Sequence, residues 1–124
     1  MTLYMNQSYS QKIIDHYRHP LNTGKLKHAD FVAEQINDLC GDEIKVYLSI
    51  KNNIIKDIGH EARGCMILIA SASLLSEFVK GKTLSTVKKI TKKDIDKLLG
   101  VRISRARESC AILALIAIQN ATKS

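Results

Sequence analysis

Hydrophobic and polar positions alternate along residues 44–50. Ile44, Val46, Leu48 and Ile50 fall on one face, and Glu43, Lys45, Tyr47 and Ser49 on the other. A period of two over this length is the signature of a half-buried strand. Just upstream, FVAEQIN (31–37) reads as a first strand, and IIKDIGHEARG (54–64) as a third beyond a KNN turn at 51–53. Three consecutive strands with short connections predict a small antiparallel sheet. Other segments carry helical spacing. SYSQKIIDHYRHP (8–20) places Ser8 and Gln11 at capping-box separation, repeats Ile13, Ile14 and Tyr17, and stops at Pro20. MILIASASLLSEFVKG (66–81) runs without a breaker to Gly81, and its small residues at 70–73 suit close packing in a buried helix. Two short helical pieces follow, LSTVKKI and TKKDIDKLLG. The second is opened by Thr91 with Asp94 three residues on and closed by Gly100. The last, CAILALIAIQNA (110–121), is apolar nearly all round, as a helix packed on several sides must be. No repeat, linker or composition break divides the 124 residues, so the expectation is one α+β domain over 1–124, with the sheet against four to five helices.

Charge changes this picture more than composition does. Apolar residues make up 45%, enough for an ordinary core. The net charge of +7 is unevenly placed. Residues 1–79 carry eight Lys/Arg against nine Asp/Glu, and residues 80–124 eleven against three, giving −1 and +8. A basic half of this kind suits an acidic protein surface or nucleic acid. With 5% aromatic residues and no recognised nucleic-acid motif, a protein docking surface is favoured over direct nucleic-acid binding. The longest apolar stretches, Met66–Ala70 and Ala111–Ile118, fall far short of the roughly 18–20 residues that cross a bilayer. The first twelve residues have neither a basic nor an apolar region of the kind that directs export, so a cytoplasmic protein without membrane attachment is expected.

Three cysteines, Cys40, Cys65 and Cys110, form an odd set, which argues against a disulfide framework in a reducing compartment. Metal binding, sulfur chemistry and simple burial remain. Gaps of 25 and 45 residues match no local zinc pattern, so any shared site has to be assembled by the fold. Cys65 and Cys110 fall at expected helix N-termini, where unpaired N–H groups and the macrodipole favour an anion and lower a thiol pKa. Cys40 stands two residues from Asp42 across Gly41, in a turn that would bring thiolate and carboxylate to one spot, or that simply holds an inert cysteine. Three thiolates and a carboxylate would satisfy tetrahedral zinc, and the same soft donors hold iron in an iron–sulfur cluster. Arg107, three residues before Cys110, either supports thiolates electrostatically or is merely solvated. His16, His19, His28 and His60 read as surface or packing residues rather than ligands.

YSQKIIDHYRHPLNTG, CGDEIKV, ARGCMILIASASLLSEFVKGK and RARESCAILAL, in this order and spacing from about Tyr9 to Ile118, resemble the successive motifs of the IscU, SufU and NifU N-terminal family of iron–sulfur cluster assembly scaffolds. The resemblance implies an α+β fold of the IscU/SufU kind and a site of Cys40, Asp42, Cys65 and Cys110. It implies a protein that accepts sulfur from a cysteine desulfurase and assembles or relays a cluster to apo iron–sulfur acceptor proteins. Zn2+ is implied in the resting form and a transient [2Fe-2S] cluster in the working one, with Cys110 as a ligand or the persulfide acceptor. Two departures qualify it. IscU-type members carry a His directly before the last cysteine, where this chain has Ser109, and the chaperone-recognition segment is replaced by ISRAR. Loss of the His, with Arg107 nearby, resembles the zinc-bound SufU sulfurtransferases, yet the insertion of roughly twenty residues that those chains carry is missing. A scaffold, a SufU-type sulfurtransferase and an adaptor without cluster chemistry are therefore the three alternatives.

Overall fold

The central strand β2 (Asp42–Lys51) pairs on one side with β1 (Phe31–Asn37) and on the other with β3 (Ile54–Arg63), both antiparallel. The computed structural model describes residues 10–38 and 41–122. The alternation that marks β2 decides which face is covered, since Ile44, Val46 and Leu48 are each at most 1% exposed. Tyr47 points to the opposite face and is nevertheless buried. It lies beneath the Lys45 ammonium, its hydroxyl donates to Glu61 at 2.6 Å, and neighbouring strands screen it. The strict period fails at Ser49/Ile50, where the register with β3 shifts and Ile50 is only half-buried. Asn52 and Asn53 both adopt positive φ in the β2–β3 turn, a conformation that asparagine tolerates better than most residues.

All the helices belong to the covered side. α2 (Met66–Val79) packs on β3, and α5 (Glu108–Ala121) on β1 and β2, with the two helices in mutual contact. Both are apolar around most of their circumference, because each is also flanked by other helices. α1 (Gln11–Arg18) lies against α2 and buries Ile13, worth about 1.5–3 kcal/mol, while Tyr17 stays 41% exposed. α1 is capped by Ser10, whose hydroxyl oxygen accepts from Ile13 N at 3.2 Å. The expected cap, Ser8, lies outside the described residues. The Ser10 hydroxyl also donates to the Leu99 carbonyl at 2.7 Å, a long-range contact that sequence spacing does not show.

α3 (Leu84–Lys88) and α4 (Lys92–Leu99) complete the layer, and α4 has the reciprocal Thr91–Asp94 capping box and a left-handed Gly100 at its end. A single 3-10 turn, Arg105–Arg107, feeds α5. Among the described residues no helix is long and apolar enough to cross a membrane.

The loop after α1 is fastened to both layers. Ser73 of α2 accepts from Leu21 N at 2.8 Å and meets His16 Nδ1 at 2.7 Å. His60 of β3 holds the same loop from the sheet. Its Nε2 donates to the Leu21 carbonyl at 2.8 Å, and its backbone pairs with Asn22 and Gly24.

Candidate functional site

Two helix starts and one strand start meet at one corner of the fold. Asp42 opens β2, Cys65 is the N-cap residue of α2, and Cys110 lies in the first turn of α5. One ligand atom from each lies within 4.8 Å of the other two. Asp42 is 1% exposed and Cys110 4%, while Cys65 is half-buried. The arrangement follows from the sheet. β2 and β3 are in register from Glu43↔Arg63 onward, so Asp42 lies beside the chain as it leaves β3 through Gly64. Gly64, at φ +153°, lets the carboxylate fold over the backbone, and Asp42 Oδ1 accepts from Cys65 N at 3.1 Å. That bond satisfies the N–H of the N-cap residue itself, one of the donors at the start of α2 without an intrahelical partner. The Cys65 thiol lies 3.8 Å from Asp42 Oδ2.

The helix starts do not set the Cys110 thiol as the sequence led us to expect. Burial pushes it well above its ordinary value, and hydrogen bonds to Asp42 and Cys65, with the charges of those groups, push the same way. The dipole of α5 favours an anion, but three acidic groups in one dry corner repel one another more strongly once ionised. The thiol therefore holds its proton, with the Asp42 carboxylate in hydrogen-bonding contact.

These donors fit a soft cation. Zinc–oxygen and zinc–sulfur bonds of about 2.0–2.3 Å put two ligands of one tetrahedral ion less than ~4 Å apart, so drawing in the cluster by about 1 Å suffices. Two sulfurs and one carboxylate oxygen supply three positions. The fourth residue expected from the sequence, Cys40, lies outside the described residues. Arg107 is exposed at the N-terminus of α5, and among the described residues no ion pair joins it to Asp42. Ser109 is exposed on the first turn. None of the four histidines enters the cluster. His19 and His28 are exposed, His16 bonds Ser73, and His60 is buried against the 21–24 loop. Sequence reasoning missed Gly64 as the residue that makes room for Asp42. Its only signal was a glycine directly before Cys65.

The NifU-like N terminal domain family matches residues 8–124. The chain is 37% identical over 113 residues to iron-sulfur cluster assembly scaffold protein IscU 1 of Archaeoglobus fulgidus, covering 91% of this chain and 73% of that one. It is 33% identical over 128 residues to the zinc-dependent sulfurtransferase SufU of Bacillus subtilis, covering 90% and 86%. Among solved structures, a protein assigned as an iron-sulfur cluster assembly scaffold for the SUF system of Fervidobacterium islandicum superposes with a TM-score of 0.78 at 25% identity, over 95% of this chain and 98% of that one. The N-terminal NifU-like protein of Brucella abortus, at 21% identity, shares the fold with a TM-score of 0.80, over 94% and 93%.

Proposed function

We propose, for a chain that belongs to the NifU-like N-terminal domain family, that it is a cytoplasmic scaffold that receives sulfur from a cysteine desulfurase, assembles an iron–sulfur cluster and passes it to apo-proteins. The observation that carries this reading is the convergence of Asp42, Cys65 and Cys110 within 4.8 Å at a corner where one thiol is half-exposed. Cys40, Asp42, Cys65 and Cys110 are the proposed holding set, for zinc at rest and for iron and sulfide as cargo. Bound zinc would keep thiolates deprotonated at neutral pH. Asp42 is the exchangeable member, because a carboxylate holds a soft metal less tightly than a thiolate does.

Sulfur arrival makes specific demands on these side chains. In the metal-free site the Cys110 thiol must first lose its proton, and the Asp42 carboxylate it touches is the base in reach, whereas bound zinc would already hold it as the thiolate. The thiolate then attacks the outer sulfur of the donor's persulfide. A new S–S bond forms on Cys110, the donor's S–S bond breaks, and the donor leaves as a thiolate, with no net oxidation. Arg107 offers cationic support as negative charge gathers at the start of α5, weakened by its exposure.

A second reading is favoured by the zinc-dependent sulfurtransferase among the relatives, which suggests persulfide transfer without a held cluster. One experiment separates the two. Wild type and the variants Cys40→Ser, Cys65→Ser, Cys110→Ser and Asp42→Ala are supplied anaerobically with iron, sulfide and thiol, and desulfurase stimulation is measured in parallel. A scaffold takes up a labile coloured cluster that each Cys→Ser change abolishes, and Asp42→Ala slows its release. Wild type that keeps zinc, gains no visible absorbance and still accelerates the desulfurase through a persulfide would replace the scaffold with the sulfurtransferase.

A further inference from the structure

The segment from Lys88 to Arg107 carries eight Lys/Arg and two Asp. Both carboxylates are committed inside the fold. Asp94 completes the capping box on Thr91. Asp96 pairs with Lys92 at 2.9 Å and accepts from Ile103 N at 3.3 Å. Lys92 is thereby consumed as well, and its ammonium also donates to the Ile103 carbonyl at 3.1 Å. The remaining cations, Lys88, Lys89, Lys93, Lys97, Arg102 and Arg105, together with Arg107, are all exposed, and none has an ion-pair partner among the described residues. Lys93 and Lys97 lie one turn apart on α4 and, with Arg102, line a shallow cavity of about 540 Å³. Like charges at this spacing repel and destabilise a helix. Lys97 and Lys88 lie in the last turns of α4 and α3, where the helix dipole favours a cation, but among the described residues no carboxylate neutralises any of the seven, so the segment presents its charge to solvent.

The ridge ends at the site. Arg105 and Arg107 form the turn that feeds α5, five and three residues ahead of Cys110. Whatever settles on the basic segment is therefore brought to the edge of the thiol corner. No Phe, Tyr or Trp occurs between residues 88 and 107, so the surface has no platform on which bases could stack. Seven unpaired cations without aromatics complement a protein surface rich in carboxylates better than an RNA or single-stranded DNA.

We infer that the Lys88–Arg107 ridge is the docking surface for the sulfur donor, which meets it with an acidic patch. This rests on the proposed sulfur-accepting function and adds the surface and the chemistry of the partner to it. Exposed charges of this kind act chiefly on encounter, raising the association rate and making it salt-dependent.

The test uses the full chain and the cysteine desulfurase of the same organism, with association and dissociation rates measured by surface plasmon resonance between about 0.05 and about 0.5 M salt. Lys93→Glu, Lys97→Glu and Arg102→Glu are combined in one variant, and the three Gln replacements in another. None of these residues belongs to the thiol corner. The expected result is a fall of about tenfold or more in the association rate for the Glu variant, a smaller fall for the Gln variant, and a flattened salt dependence in both. Circular dichroism and anaerobic cluster uptake should match wild type, which shows that fold and corner are intact. Equal rates and equal salt dependence for wild type and both variants would overturn the ridge while leaving sulfur acceptance standing. No binding of wild type to the desulfurase at any salt, with no cluster taken up, would remove the sulfur-accepting function itself and the ridge with it. Retention of transfer RNA or duplex DNA more tightly than the desulfurase at the same salt, lost in the Glu variant, would give the ridge to nucleic acid and overturn the proposal.

Discussion

Replacing Gly64 with alanine tests whether the site depends on one missing side chain. A Cβ at Gly64 would lie 2.8 Å from Asp42 Cγ and 3.1 Å from Asp42 Cα, and would overlap Oδ1 outright. Rotating the carboxylate away relieves the overlap with the side chain alone. Crowding against the main chain remains, and it falls on the first residue of β2, held in register by its pairing with Asn37, so the strand end itself must move. The backbone at φ +153° adds a cost of about 1–3 kcal/mol for any residue with a Cβ. Overpacking a buried position adds about 1–3 kcal/mol more, for a total of about 2–6 kcal/mol. Gly41→Ala provides the control. Gly41 has φ +73° and nothing within 4 Å of an added Cβ, so its replacement carries only a conformational cost of about 1–2 kcal/mol. Urea unfolding of the metal-free proteins, followed by far-ultraviolet circular dichroism, measures both. Combining Gly64→Ala with Asp42→Ala should recover part of the loss, because the crowded carboxylate is gone, and the double-mutant cycle reports that coupling. Zinc uptake by Gly64→Ala should weaken in step, since Asp42 can no longer lie over Cys65 N. If Gly64→Ala costs no more than Gly41→Ala, or if the second change recovers nothing, the account of how Asp42 is placed is wrong.

Ser73→Ala should destabilise the fold by about 2 kcal/mol and raise hydrogen exchange at Leu21, because the Leu21 N–H and His16 Nδ1 both lose their partner; an unchanged urea midpoint would count against it. Stability should decline on acidification through His60. Burial lowers its pKa, its Nδ1 is buried without a partner, and the unfolded chain takes up a proton near pH 6.5 before the native state does. Its contribution is thus complete above about pH 6.5 and is lost as the pH falls from there towards its folded value. His60→Phe should flatten the dependence, and a slope unaltered by that change would assign it to other groups. Removing a bound metal with a chelator should lower the melting temperature and spare the helical signal, because the core of sheet, α2 and α5 closes without it. At a thousandfold excess of metal over Kd the loss corresponds to about 4 kcal/mol. Collapse of the far-ultraviolet spectrum on chelation would show instead that metal is needed for folding.

The periodic signals in this chain were local enough to be read without coordinates. The alternation over Ile44–Leu48, the Asn52–Asn53 turn, and the Thr91–Asp94 box with Gly100 each depend on residues a few positions apart, and each appears where its spacing places it. Side-chain identity named Asp42, Cys65 and Cys110 as soft-metal donors, because thiols and carboxylates carry that chemistry wherever they lie. Long-range contact decided the rest. The Ser10 hydroxyl that caps α1 also ties it to the Leu99 carbonyl, and Tyr47 is buried on the outer face, where Lys45 lies over its ring and Glu61 accepts from its hydroxyl. His60 gives no hint in sequence that its ring would hold a loop 39 residues away. The Cys110 thiol shows the same division. Its place at a helix start was legible and argued for an anion, whereas the burial and the two acidic neighbours that keep it protonated exist only once β2, α2 and α5 converge. A pKa is set by the charges and water around a group, and that surrounding is a product of the tertiary fold.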